Sequence, residues 1–84
     1  MHFVYILRCG DDSLYTGYTN DVEKRVEVHN SGKGAKYTRS RLPVKLVFYK
    51  RVDSKTTGLK LEARIKKLSK NKKEALVKAF ELSK

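Results

Sequence analysis

The sequence predicts a small α/β domain of the α+β kind, a three-stranded antiparallel sheet flanked by helices, on three observations. Two short runs rich in apolar, β-branched and aromatic residues, Phe3–Cys9 and Leu14–Thr19, enclose the turn residues Gly10-Asp11-Asp12-Ser13. A third run, Val44–Tyr49, follows Pro43 and sets Val44, Leu46 and Phe48 against Lys45, Val47 and Tyr49. Helical patterns opened by capping residues fill the intervals. With 84 residues the chain is expected to form a single domain over 1–84, with one core and a shallow groove rather than a deep cavity.

Each element has its own justification. Phe3-Val4-Tyr5-Ile6-Leu7 does not alternate with polar residues, so the first strand is expected at the centre of the sheet, covered on both faces. It forms a hairpin with Leu14–Thr19, where Gly17 marks a bulge or a close approach of a ligand or second backbone. Asn20 with Glu23 reads as a capping box that opens a first helix to about His29. Val22, Arg25, Val26 and His29 share its inward stripe. Asn30–Pro43 is a long connection carrying Lys33, Lys36, Arg39 and Arg41, two glycines and Tyr37, suited to following a phosphate backbone. A second helix is expected from about Ser54 to Lys70, with Leu61, Ile65 and Leu68 as its apolar stripe and Gly58 weakening its first turns. Asn71 with Glu74 opens a last helix to about Leu82, with Ala75, Leu76, Ala79 and Phe80 inward.

Charge narrows the function. Twenty Lys and Arg against nine Asp and Glu leave a net charge of +11. Internal pairing cannot absorb that excess, which points to a polyanionic partner, nucleic acid first. Cys9 is the only cysteine, which excludes an internal disulfide or a cysteine-built zinc site and suits a small buried hydrophobe. There is neither a run of about 20 apolar residues nor a signal-peptide pattern, so a cytoplasmic location without a membrane partner is expected by default; a monomer is expected besides.

Several residues have two readings. Arg25 either snorkels at the core edge or serves a site, and His29 is either a satisfied core-edge histidine or a functional imidazole. Glu62 falls inside the apolar stripe of the second helix and needs a partner, either a neighbouring cation or a metal ion. Gly32-Lys33-Gly34 lacks the spacing and the following Ser or Thr of a phosphate loop.

Taken together, the two tyrosines, the Arg–His pair one helical turn apart and the later helical acid form a recognisable set. On these residues the sequence resembles the GIY-YIG nuclease family, and more closely its small stand-alone bacterial members. Phe3-Val4-Tyr5 stands where that family has Gly-Ile-Tyr, and Tyr15-Thr16-Gly17 where it has Tyr-Ile-Gly. Arg25 follows Tyr15 by ten residues, His29 comes four later, and Glu62 lies on the later helix. The resemblance runs from about Phe3 to Leu76. Phe3 departs from the family glycine, and Tyr18 stands where some relatives carry a lysine. The resemblance implies a metal-dependent endonuclease hydrolysing DNA with little sequence preference. It implies catalytic roles for Tyr5, Tyr15, Arg25, His29 and Glu62, and Mg²⁺ or Mn²⁺ held by Glu62. Gly17 would keep the strand open to the scissile phosphate, and Lys33, Lys36, Arg39 and Arg41 would contact the backbone. The alternative is a non-catalytic nucleic-acid-binding module on the same fold. An RNA- or ribosome-associated basic protein is a further option, and a lone nuclease domain would call for a separate recognition partner.

Overall fold

The computed structural model describes residues 1–83. Three antiparallel strands, β1 (His2–Arg8), β2 (Leu14–Thr19) and β3 (Lys45–Val52), lie in the order β2-β1-β3. The helices are α1 (Val22–Asn30), the short α2 (Lys36–Arg39), α3 (Lys55–Lys66) and α4 (Lys70–Leu82). The expected three-stranded α+β architecture is therefore present, with the uninterrupted apolar strand β1 in the middle. Alternate β1 residues serve opposite faces. Val4 and Ile6 pack with Leu14, Val47, Ile65 and Val77 under α3 and α4, while Tyr5 and Leu7 pack with Cys9, Val44 and Val26 on the α1 side. Val4, Tyr5, Ile6 and Leu7 are all buried for this reason. The β1–β3 ladder slips between Ile6 and Leu7, where Ile6 pairs with Phe48 but Leu7 with Leu46.

Several boundaries differ from expectation, and in most cases a hydrogen bond gives the reason. Asp21, not Asn20, caps α1, its carboxylate accepting from the Lys24 N–H. The connection after α1 is not structureless, because α2 forms within it. β3 continues three residues past Tyr49, paired with β1 as far as His2 opposite Val52. The helix expected to reach Lys70 stops at Lys66, because Ser69 opens a new one by accepting from the Lys72 N–H. Asn71 is therefore not the cap of α4. Glu74 is drawn instead to Arg8, whose guanidinium grips it with two hydrogen bonds of 2.8 and 2.7 Å. On α4 the fully inward residue is Val77, whereas Ala75 and Ala79 face outward.

Gly58 sits inside α3 for a packing reason. A Cβ there would come within 2.8 Å of the Tyr18 ring, so its absence lets α3 lie against β2. That contact fixes where α3 crosses the sheet and hence where Glu62 stands.

Candidate functional site

The site grows from adjacent strand positions. In the hairpin register Tyr5 lies opposite Gly17 and Leu7 opposite Tyr15, so both phenols emerge on the α1 face of the sheet. Tyr5 lies across the hollow that Gly17 leaves: a Cβ on residue 17 would come within 2.5 Å of the phenol carbon Cζ. The glycine therefore admits a neighbouring side chain. Expected to keep the strand open to a phosphate, Gly17 is instead buried and closed over by Tyr5.

From α1, His29 enters the same layer and is completely buried. Its Nε2 lies 3.0 Å from the Tyr5 hydroxyl and its Nδ1 lies 2.8 Å from Thr38 Oγ1. The Thr38 hydroxyl donates to the Ala35 carbonyl at 2.9 Å. This assigns the tautomer: Nδ1–H donates to Thr38, and Nε2 accepts the Tyr5 proton. Tyr5, His29, Thr38 and Ala35 form a chain of donors that ends on a backbone carbonyl, not in solvent. Gly34 makes this closure possible, since a Cβ there would sit 2.8 Å from His29 Cγ. Burial, followed by the nearby Arg25 charge, holds the His29 imidazolium pKa below its ordinary value. Burial also pushes the Tyr5 phenol upward, with the Arg25 guanidinium working against it. Tyr5 is thus a buried hydrogen-bond donor and a poor base.

Tyr15 is half-buried beside them, its ring 6.4 Å from Tyr5 and 5.3 Å from His29 between centroids. Arg25 is half-buried one turn before His29 and lines a polar cleft of about 390 Å³ with His2, Tyr18, Thr19, Asn20 and Lys55. His2 Nδ1 and the Tyr18 hydroxyl meet at 2.5 Å on the wall of this cleft. Glu62 stands on α3 with its side chain 18% exposed and its carboxylate 3.2 Å from Lys66 Nζ. Its charge reaches the Tyr5 phenol, where it favours the protonated form. The structure thus brings Tyr5, Tyr15, Arg25 and His29 together, with Glu62 paired to Lys66 and near enough for its charge to act on the Tyr5 phenol. Among the described residues no three His, Cys, Asp or Glu side chains gather into a group able to hold a metal ion.

Lys33, Lys36 and Arg39 are exposed on the connection and α2. Arg41 is half-buried and differently placed. Its Cζ lies 4.0 Å above the centre of the Tyr37 ring, and Tyr37 in turn stacks on Tyr15 with centroids 5.9 Å apart. Sequence reasoning missed Thr38, Gly34, His2 and Lys55. Thr38 is spaced one helical repeat from Ala35, but nothing in the sequence shows that α2 forms there.

The chain matches the family model described as the GIY-YIG catalytic domain over residues 1–75. A UPF0213 protein of Natronomonas pharaonis is 57% identical, the match covering 90% of this chain and 89% of the relative. One from Clostridium perfringens is 53% identical over 92% of this chain and 83% of the relative. Among solved structures, the solution structure of a Bacillus halodurans UPF0213 protein shares 52% identity, with a TM-score of 0.60, over 93% of this chain and 83% of that one. A protein from E. faecalis gives 42% identity and a TM-score of 0.63, over 96% and 86%.

These findings correct the expected metal-dependent endonuclease. The family description speaks of catalysis for the family as a whole, but these relatives carry names that state no nuclease or hydrolase activity. The chain's own chemistry agrees with them. The carboxylate expected to bind metal pairs with Lys66, and the Tyr5 proton is committed inward to His29.

Proposed function

This chain belongs to the GIY-YIG family, and from that membership we propose that it is a non-catalytic nucleic-acid-binding module on the GIY-YIG fold. One observation carries the reading, the uncompensated charge. Among the described residues only Arg8, Arg41, Lys66 and Lys70 stand within ion-pair distance of a carboxylate, against a net charge of +11 for the chain. Lys33, Lys36 and Arg39 line up on one segment, and Arg25 and Lys55 face a shared polar cleft. Cations without internal partners release counterions when they meet phosphates, which makes the attraction strong at low salt and insensitive to sequence. The Tyr5–His29–Thr38 chain then serves as a polar core that fixes α1 and the basic connection against the sheet.

The test is fluorescence anisotropy of labelled DNA and RNA across a salt series, with a plasmid-nicking assay run in parallel. The logarithm of the affinity should fall linearly with log salt, and Lys33→Ala or Lys36→Ala should each reduce the slope by about 1. Absence of binding at low salt would overturn the module. Mg²⁺- or Mn²⁺-dependent strand scission that disappears in Glu62→Ala would overturn its non-catalytic character.

A further inference from the structure

The proposed nucleic-acid reading leaves open whether paired or unpaired strands are bound, and Arg41 bears on that choice. Tyr15, Tyr37 and Arg41 form a continuous stack that begins in the buried polar core and runs outward. Tyr15 and Tyr37 lie nearly parallel, 26° between ring planes, and the Arg41 guanidinium carbon sits 4.0 Å over the Tyr37 ring. The guanidinium is held in place at its edges. Nε donates to Asp11 at 3.1 Å, and one terminal nitrogen donates to the Tyr37 carbonyl at 2.8 Å and to Ser40 Oγ at 3.3 Å. Edge bonds of this kind fix the plane while leaving the π-faces for stacking.

We infer that Tyr15, Tyr37 and Arg41 form a stacking platform for an unpaired nucleobase, so that the module recognises single-stranded rather than duplex nucleic acid; this rests on the nucleic-acid reading above. Arg41 is poorly suited to the phosphate contact expected from its charge. The Asp11 carboxylate on its Nε neutralises it locally and would repel a phosphate there, whereas an uncharged base face meets no such penalty. Bases stack on aromatic and guanidinium planes whatever their identity, but only when the pairing partner is gone. Lys33, Lys36 and Arg39, exposed on the same segment and without carboxylate partners among the described residues, supply the phosphate attraction that a stacked strand also needs.

The experiment compares binding of a short labelled single strand, in deoxyribo and ribo forms, with binding of the duplex of the same sequence. It uses the full chain at one low salt concentration, with folding of each variant checked by circular dichroism. Arg41→Lys keeps the charge and discards the plane, Tyr37→Leu removes the ring beneath it, and Lys33→Ala is the charge control. Arg41→Lys and Tyr37→Leu are expected to weaken single-strand binding by about tenfold and leave duplex binding unchanged. Lys33→Ala should weaken both alike, and the tighter-binding sugar form names the polymer. Equal losses on single strand and duplex in Arg41→Lys, or no loss on either, overturn the platform while the module stands. A wild type that binds the duplex more tightly does the same. A wild type that binds neither overturns both.

Discussion

At the scale of single residues, the buried imidazole has a measurable consequence. His29 is fully buried and neutral, its pKa held below the ordinary value of about 6.5 by burial and then by Arg25. Above that pH the imidazole is neutral in both folded and unfolded chains and contributes no pH dependence. Below it the unfolded chain takes up a proton that the folded one resists, so stability falls as pH falls, with a limiting slope of about 1.4 kcal/mol per pH unit. The drop is confined to the window between the unfolded value and the lowered folded one. Glu74, whose carboxyl Arg8 holds below its usual range, begins to lose its contribution only as pH falls below about 4.3, so of the two groups only the imidazole acts between about 6.5 and 4.3. Urea titrations at about pH 7 and pH 5 should show the loss in wild type and a flatter profile in His29→Gln. Thr16 makes the opposite kind of prediction. Its buried hydroxyl finds no hydrogen-bond partner among the described residues, so Thr16→Val should leave stability unchanged or raise it by about 1 kcal/mol in the same titration.

At the scale of elements, patterns of burial were legible in the sequence and the exact ends were not. The unbroken apolar run of β1 announces a central strand because a strand covered on both faces has no polar side to show. Glu62 on an apolar stripe calls for a partner, cation or metal, and Lys66 stands within ion-pair distance of it. The ends depend on which of several neighbouring polar side chains reaches the free N–H groups, and the sequence offers more than one candidate. Ser69 and Asn71 compete for α4, and Ser69 wins because Glu74, the other half of the expected capping box, is held by Arg8 across the fold. Long-range contacts of this kind are invisible to local spacing, as is the Gly34–His29 approach that brings Thr38 into the core. The capping assignment can be checked directly. Ser69→Ala should lower stability by about 1 kcal/mol, while Asn71→Ala should change it by less than about 0.5 kcal/mol, measured as shifts in urea midpoint.

At the scale of the molecule, the same charge acts on folding and on binding with opposite sign. The Cα trace spans 30 × 26 × 25 Å. At an ionic strength of about 0.01 M the Debye length is roughly 30 Å, so every cation repels every other, while at about 0.15 M it is roughly 8 Å and only neighbours interact. The folded state concentrates a net charge of +11 that the expanded unfolded chain spreads out, and so it carries the larger repulsion. Salt also weakens the ion pairs of Arg8, Arg41, Lys66 and Lys70, but these are partly exposed and, apart from the bidentate Arg8–Glu74 pair, contribute little. Repulsion therefore decides the sign, and adding salt should raise the melting temperature. A gain of about 1 kcal/mol corresponds to about 4–8 °C for a chain of this size. Over the same range the affinity for nucleic acid should fall steeply, because the counterions released on binding are returned to a richer solution. Thermal melts and anisotropy titrations on one preparation would show the two trends crossing. A melting temperature that falls with salt would mean that the ion pairs, not the unpaired cations, dominate the folded state, and the charge-based reading of this surface would lose its support.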